Sequence, residues 1–257
     1  MPPGRPFQSS LTHLTALGIV GAAGEPNWTE SGVRVEGREV TLPVEVRDAS
    51  AATVIWEVDA AALQALLPTD SVEVVQTEPG RAQFAVALVD YRDNDLGAYL
   101  EIGLIAFVRP VSGGEDGTFI LRLPVDGEFT CAAGRQVWGF PKTVEDIAFD
   151  YADDHLTATL QVDGELVMRL RVPRGGEDHM PQLTNASYTL KDGRLHCTRF
   201  TQGGDRTGIG LGPDGVELEL GEHPWAKELA GLGLPAPAVL STWNEKMRAT
   251  FEEALPV

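Results

Sequence analysis

The stretch Tyr99-Leu100-Glu101-Ile102-Gly103-Leu104-Ile105-Ala106-Phe107-Val108 is apolar throughout apart from one carboxylate. Side chains alternate between the two faces of a strand, so an apolar run on both faces predicts a strand that is buried on both sides. One face would carry Tyr99, Glu101, Gly103, Ile105 and Phe107. This pattern sends Glu101 into the interior of the protein.

A carboxylate in the interior has to be paired with a cation, hydrogen-bonded or protonated. Glu101 is therefore either one half of a structural ion pair or a general acid/base beside a reactive centre. A lysine partner would satisfy both descriptions, and the strand pattern alone leaves the two open.

Lysine is rare in this chain, which has four lysines against sixteen arginines. The first lysine, Lys142, ends the segment Trp138-Gly139-Phe140-Pro141-Lys142. Burial among these apolar residues would lower the pKa of the ammonium, and a neutral amine attacks a carbonyl to form a Schiff base. The alternative is an ordinary surface lysine at the end of a strand.

Strand patterns dominate the rest of the chain. Residues 53–58 read as a strand that leads into a short helix, capped by Asp59 and ended by Pro68. Asp-Gly pairs at 163–164 and 192–193 predict hairpin turns. A second helix is predicted near 224–230, and the segment 239–251 is a strand or a helix. We predict one α+β domain over 41–257, predominantly antiparallel with few short helices, after a lead-in over 1–40 with a short helix at 11–17.

The bulk composition excludes several classes of function. A net charge of −18 argues against nucleic acid and anionic membranes as partners. The N-terminus lacks the apolar core of a signal peptide, and the apolar stretch 102–108 is too short to span a bilayer. Two cysteines and five histidines at no metal-ligand spacing predict a cytoplasmic protein with no metal site.

Several segments resemble one known family. The run Ala133-Gly134-Arg135-Gln136-Val137-Trp138-Gly139-Phe140-Pro141-Lys142 resembles the signature of the acetoacetate decarboxylase family, a Gly-Arg-Glu followed by an aromatic residue, proline and lysine. Segments 56–68, 96–101 and 223–243 resemble other parts of that family in the expected order. The resemblance covers roughly residues 40 to 250, and ordered agreement is more specific than one motif.

The resemblance implies a barrel-like sheet that encloses a hydrophobic cavity, within a homo-oligomer. It implies that Lys142 forms the Schiff base, with no external cofactor, and that Glu101 is the pocket carboxylate. It also makes Arg47 the candidate for binding a substrate carboxylate. Trp138 is expected to line the pocket, and Tyr99, on the Glu101 face, to contact the substrate.

The chain departs from the family pattern at three places. Thr143 stands where acetoacetate decarboxylases have a second lysine, Gln136 replaces the signature glutamate, and the segment 83–86 lacks a second pocket acid. In that family a cation beside the catalytic lysine lowers its pKa, a known property of the family rather than of this chain. Here burial would have to lower the pKa without that neighbour.

These observations lead to one functional expectation and two alternatives. The chain is expected to decarboxylate a small-molecule 3-keto acid, resembling acetoacetate, through an imine at Lys142. The same imine would support an aldolase-dehydratase reaction on a 2-keto acid. A non-catalytic small-molecule binding protein of the same fold is the alternative from a different class.

Overall fold

The structure is a computed structural model that describes residues 27–29 and 32–257. The helix predicted at 11–17 lies outside these residues. The helices are α1 (Ala60–Leu66), α2 (Glu128–Trp138) and α3 (Pro224–Gly231). The strands are β1 (Asn27–Trp28), β2 (Gly32–Val35), β3 (Arg38–Thr41), β4 (Val44–Asp59), β5 (Val72–Val74), β6 (Gln76–Glu78), β7 (Arg81–Asn94), β8 (Tyr99–Pro110), β9 (Gly117–Val125), β10 (Lys142–Val144), β11 (Asp146–Tyr151), β12 (His155–Val162), β13 (Glu165–Pro173), β14 (Asp178–Lys191), β15 (Arg194–Leu211), β16 (Glu217–Leu220) and β17 (Leu240–Pro256).

Seven strands close into a mixed barrel. Their order around the barrel is β9-β14-β15-β17-β4-β7-β8, and β8 pairs with β9 to complete the circle. The pairing of β14 with β9 is parallel, as is that of the short β10 with β9. The predicted fold class, a predominantly antiparallel and barrel-like α+β fold with few short helices, is confirmed.

The outer face of the barrel packs against a second sheet. Strands β11, β12, β13 and β16 form this four-stranded sheet. Its apolar side chains join those of β4, β7 and β8 in one large buried cluster, which includes Trp56, Phe84, Ile102, Leu160 and Leu170. This packing accounts for the uniformly apolar second face of the 99–108 strand.

The opposite face of the same strands contributes to a second buried cluster. Val89, Tyr91 and Tyr99 belong to it, together with Met247 from β17 and the apolar side of α2. Glu101 lies between these residues and is only 8% exposed. The prediction that the strand pattern sends Glu101 inward is therefore confirmed.

Local signals in the sequence predicted some elements and missed others. Asp59 caps α1 by accepting a hydrogen bond from the Ala62 amide at 2.8 Å. Asp163 and Asp192 both adopt positive φ in their hairpin turns. The segment left open as strand or helix is the strand β17. Helix α2 was not predicted, although it contains most of the family signature.

Within the described part of the chain, no helix combines the length and apolarity required to cross a membrane.

Candidate active site

Helix α2 brings the family signature alongside Lys142. Its buried residues recur at the spacing of one helical face: Thr130, Cys131, Ala133, Gly134, Val137 and Trp138. Gly139 ends the helix in the left-handed conformation, with φ of 70°, which glycine adopts without strain. The chain then reverses through Phe140 and Pro141, and Lys142 begins β10 against Leu123 of β9.

The Lys142 ammonium lies in the interior, and its residue is 3% exposed. Nζ is 2.8 Å from Glu101 Oε2. It also donates to Thr130 Oγ1 at 2.9 Å and to Tyr99 Oη at 3.4 Å. The three donor positions of an ammonium thus face three oxygens. The alternative of an ordinary surface lysine is wrong.

The pKa of Lys142 shifts in the opposite direction from the one expected from the sequence. Burial lowers the pKa of Lys142, but the Glu101 carboxylate raises it, and the net direction is upward. The expected depressed pKa is therefore wrong for this resting arrangement. The reason is that burial was considered without the partner that the fold supplies at 2.8 Å.

Two tyrosines complete the surroundings of the ion pair. Tyr91 Oη donates to Glu101 Oε1 at 3.2 Å, and the Tyr91 and Tyr99 rings stack with centroids 4.4 Å apart. Burial raises the pKa of both phenols, so both stay neutral at physiological pH. Each oxygen of Glu101 therefore has its own partner, Lys142 on one side and Tyr91 on the other.

Gly134 provides the space that the Lys142 side chain occupies. A Cβ atom at Gly134 would lie 2.6 Å from Lys142 Cδ and 2.8 Å from Cε. Helix α2 can pass this close to the lysine only because residue 134 has no side chain. The glycine of the family signature thus acquires a physical role.

Gly134→Ala is expected to displace Lys142 and to slow imine formation by roughly 100-fold, since misplacing a reactive group by about 1 Å costs that much. Overpacking should also cost about 1–3 kcal/mol of unfolding free energy. Single-turnover trapping and thermal unfolding measure the two effects. Gly231→Ala is the matched control, because a Cβ there contacts nothing within 4 Å. Equal behaviour of the two variants would contradict this role for Gly134.

The remaining sequence-predicted residues lie at different distances from this centre. Trp138 is buried, stacks on Phe140 and donates from Nε1 to the Glu252 carbonyl at 2.7 Å. Arg47 lies on the surface, with its side chain 49% exposed, and is bound to Asp93 and Asp95 at 2.9 and 2.6 Å. The structure thus brings Lys142, Glu101 and Tyr99 together, places Trp138 in the same buried cluster, and leaves Arg47 in a surface ion pair.

Thr130 and Gly134 contact the lysine but were not among the predicted site residues, and the hydrogen bond of Tyr91 to Glu101 was also not predicted. The signal for the first two was present, because they are four residues apart on the apolar face of an unrecognised helix. Tyr91 pairs with Tyr99 across β7 and β8, a register that only the folded sheet defines.

Within residues 27–29 and 32–257, no group of three or more His, Cys, Asp or Glu side chains could hold a metal ion.

Comparison with known proteins assigns a family. The family model for acetoacetate decarboxylase matches residues 33–249, most of the chain. The chain belongs to the acetoacetate decarboxylase family. Membership supports an enzyme that works, in broad terms, through a lysine Schiff base without an external cofactor. A search of curated proteins gave no match.

Solved structures with the same fold include an acetoacetate decarboxylase and an enzyme of enduracididine biosynthesis. Acetoacetate decarboxylase from Legionella pneumophila has a TM-score of 0.63 at 21% identity, covering 86% of this chain and 90% of that one. An acetoacetate decarboxylase-like enzyme from Sphingomonas wittichii has a TM-score of 0.54 at 16% identity, with coverage of 86% and 96%. The enduracididine biosynthesis enzyme MppR, complexed with the condensation product of pyruvate and imidazole 4-carboxaldehyde, has a TM-score of 0.60 at 14% identity, covering 83% and 88%. At these identities the likeness shows the fold alone.

Proposed function

We propose that this family member is a carbon–carbon lyase that decarboxylates a 3-keto acid through an imine at Lys142. The observation that carries the proposal is the buried contact of 2.8 Å between Lys142 Nζ and Glu101 Oε2. A nucleophilic amine and a proton acceptor lie side by side in the barrel wall, away from water. These are the two groups that imine chemistry requires.

The first step is proton transfer from the Lys142 ammonium to Glu101. The neutral amine then attacks the keto carbon of the substrate, and the proton held by Glu101 leaves with the former keto oxygen as water, which gives a protonated imine and the Glu101 carboxylate. Tyr91 already donates to the far oxygen of Glu101 at 3.2 Å. Because this hydrogen bond holds the carboxyl group in place, the proton is kept within reach of Nζ.

In the second step the bond between the substrate carboxylate and the α-carbon breaks. Carbon dioxide leaves, and the electron pair moves into the imine to give an enamine. The Glu101 carboxylate takes up one proton from solvent and passes it to the enamine carbon, and water hydrolyses the resulting protonated imine to release the ketone and the Lys142 ammonium. Thr130 and Tyr99, which accept hydrogen bonds from the resting ammonium, orient the nitrogen throughout.

Arg47 remains the proposed ligand of the substrate carboxylate, with Trp138 and Tyr99 as proposed pocket residues. In the structure, the Arg47 guanidinium is held by Asp93 and Asp95. Binding a substrate carboxylate would require it to leave at least one of these partners. Homo-oligomeric assembly also stays part of the proposal, and light scattering on the purified protein measures it.

Borohydride trapping tests the imine directly. Incubation with 3-keto acids and reduction should add the mass of the reduced substrate or product to one residue, Lys142, as located by peptide mass spectrometry. Carbon dioxide release from the same incubation identifies decarboxylation. If no keto acid gives an adduct at Lys142, the proposed function is wrong.

Aldolase-dehydratase chemistry on a 2-keto acid is the second candidate. One observation favours it: MppR, which shares this fold, is described with a condensation product of pyruvate. The replacement of the second lysine by Thr143 agrees with a reaction other than acetoacetate decarboxylation. An adduct with pyruvate and an aldehyde that forms with loss of water, and without carbon dioxide, would identify this reaction.

A further inference from the structure

A second part of the barrel interior carries polar groups that the reaction above does not use. A cavity of about 210 Å³ lies on the inner face of β4, β15 and β17 and beside the start of β14. Its walls include Ala51, Thr53, Thr207, Asn244 and Met247. Pockets for drug-sized ligands are about 300–1,000 Å³, so this one suits a small molecule or one end of a longer one.

Strand register links this cavity to Glu101. Cross-strand neighbours project their side chains from the same face of a sheet. One unbroken row of paired residues runs through β15, β17, β4, β7 and β8: Thr207, Asn244, Ala51, Val89 and Glu101. The cavity wall and the catalytic carboxylate therefore face the same barrel interior.

The separation between the two places is short. Asn244 is three strand-to-strand steps from Glu101, about 14 Å along the sheet at the usual spacing, and the curvature of the barrel shortens the direct path. Met247, which lines the cavity, also belongs to the buried cluster that contains Tyr91 and Tyr99, so the two places share one apolar environment. A substrate that spans this distance would contact both Lys142 and Asn244.

Two buried polar atoms at the cavity have no partner among the described residues. They are Thr207 Oγ1 and Asn244 Nδ2, in residues that are 4% and 5% exposed. The orientation of the Asn244 amide is set by its own contact, since Oδ1 accepts from the Lys246 backbone N–H at 3.2 Å. Nδ2 is therefore the atom left to donate. Buried polar groups without a partner are costly, so they are expected to have one in a functional state.

Gly204 on β15 makes room for this amide. A Cβ atom there would lie 2.5 Å from Asn244 Oδ1 and 2.7 Å from Nδ2.

The charges around the cavity indicate what kind of group it accepts. Of the lining residues, Asp178 is acidic and His179 is bound to Asp205 at 2.8 Å, with no lysine or arginine among them. An anionic group is therefore disfavoured here, and a neutral hydrogen-bond acceptor is favoured.

We propose that Asn244 and Thr207 form a recognition site for an uncharged hydroxyl or amide carbonyl group, carried by the substrate at a distance from its keto carbon. The assignment rests on the proposed imine at Lys142 and names the substrate class: keto acids with a polar, uncharged tail. Asn244 Nδ2 donates to the tail oxygen, and Thr207 Oγ1 donates to it or accepts from it. Simple acetoacetate would leave both groups unpaired.

The test compares two 3-keto acids of equal length, one with an alkyl end and one with a terminal hydroxyl. Wild-type protein should form the trapped Lys142 adduct with the hydroxylated compound at a roughly ten-fold lower concentration than with the alkyl compound. One to two additional hydrogen bonds provide a gain in affinity of about this size. Asn244→Leu and Thr207→Val should each reduce this preference, measured as the ratio of the concentrations at which the two compounds are trapped. Thr207→Val should leave the melting temperature unchanged or higher, because the hydroxyl has no partner in the free protein.

Thr198→Val is the matched control, because Thr198 Oγ1 is also buried and unpaired among the described residues but does not line the cavity. It should keep the wild-type preference. Equal use of both compounds by the wild type, or a preference that survives in both cavity variants, would overturn the site. Failure of the imine itself is distinguishable, since no keto acid would then be trapped. In that event calorimetric binding of the corresponding hydroxylated and plain carboxylic acids, which cannot form an imine, still tests the site with the same variants.

Discussion

Lys142→Met is expected to abolish the borohydride-trapped adduct and to lower kcat/KM by on the order of 10⁴-fold or more, because it removes the nitrogen at which the proposed imine forms. The variant should also lose about 3–5 kcal/mol of unfolding free energy. Removing one partner of a buried ion pair leaves the other charge without compensation. Here that charge is Glu101, which is 2.8 Å from Nζ.

Two further variants separate the chemical effect from the structural one. Lys227→Met removes a lysine whose side chain is 66% exposed and 3.7 Å from Glu222, and it should behave as wild type. The double variant Lys142→Met/Glu101→Gln should regain much of the lost stability, because no buried charge is left unpaired. It should regain no activity. An adduct that persists in Lys142→Met would show that the imine forms elsewhere.

Glu101→Gln is expected to lower the pKa of Lys142, which makes the amine easier to label, and at the same time to slow turnover. Burial lowers the pKa of Lys142, and the Glu101 carboxylate raises it. Without the carboxylate, the main group that opposes the effect of burial is removed, so the pKa should fall and the neutral amine should be present at lower pH. Covalent labelling of Lys142 by a small carbonyl reagent plus borohydride should therefore extend to lower pH than in the wild type.

Turnover of the same variant should slow by about 10²–10⁴-fold, the usual contribution of a general acid/base. A purely structural role for Glu101 would not predict faster labelling together with slower turnover. Glu219→Gln removes a surface carboxylate paired with Arg169 at 2.6 Å and should alter neither property. A labelling profile that is unchanged, or moved to higher pH, would contradict the assigned role of Glu101.

The 99–108 strand shows how far sequence patterns reach in this protein. Burial of both faces and the inward direction of Glu101 follow from alternation within one strand, a local property of the chain. The hairpins at Asp163 and Asp192 follow from the tolerance of Asp-Gly for positive φ. Helix α2 was missed, although its apolar spacing and the glycine that ends it were present.

The site required information that no single segment contains. Lys142, Glu101 and Thr130 come from β10, β8 and α2, and only closure of the barrel sets Nζ at 2.8 and 2.9 Å from the other two. The direction of the Lys142 pKa shift depended on that geometry, because burial and an adjacent carboxylate act in opposite senses. Arg47 could not be placed either, since its partners Asp93 and Asp95 lie on another strand and the turn after it.

The sequence by itself singled out the two residues on which the proposed chemistry depends: a rare lysine behind aromatic residues and proline, and one carboxylate on an apolar strand. Side-chain type and local periodicity suffice for that conclusion. Tertiary structure alone decided that the two form an ion pair, that Gly134 makes room for the lysine, and that Asn244 shares a row with Glu101. Those relations depend on contacts between strands and helices far apart in the chain, and such contacts exist only when the barrel is closed.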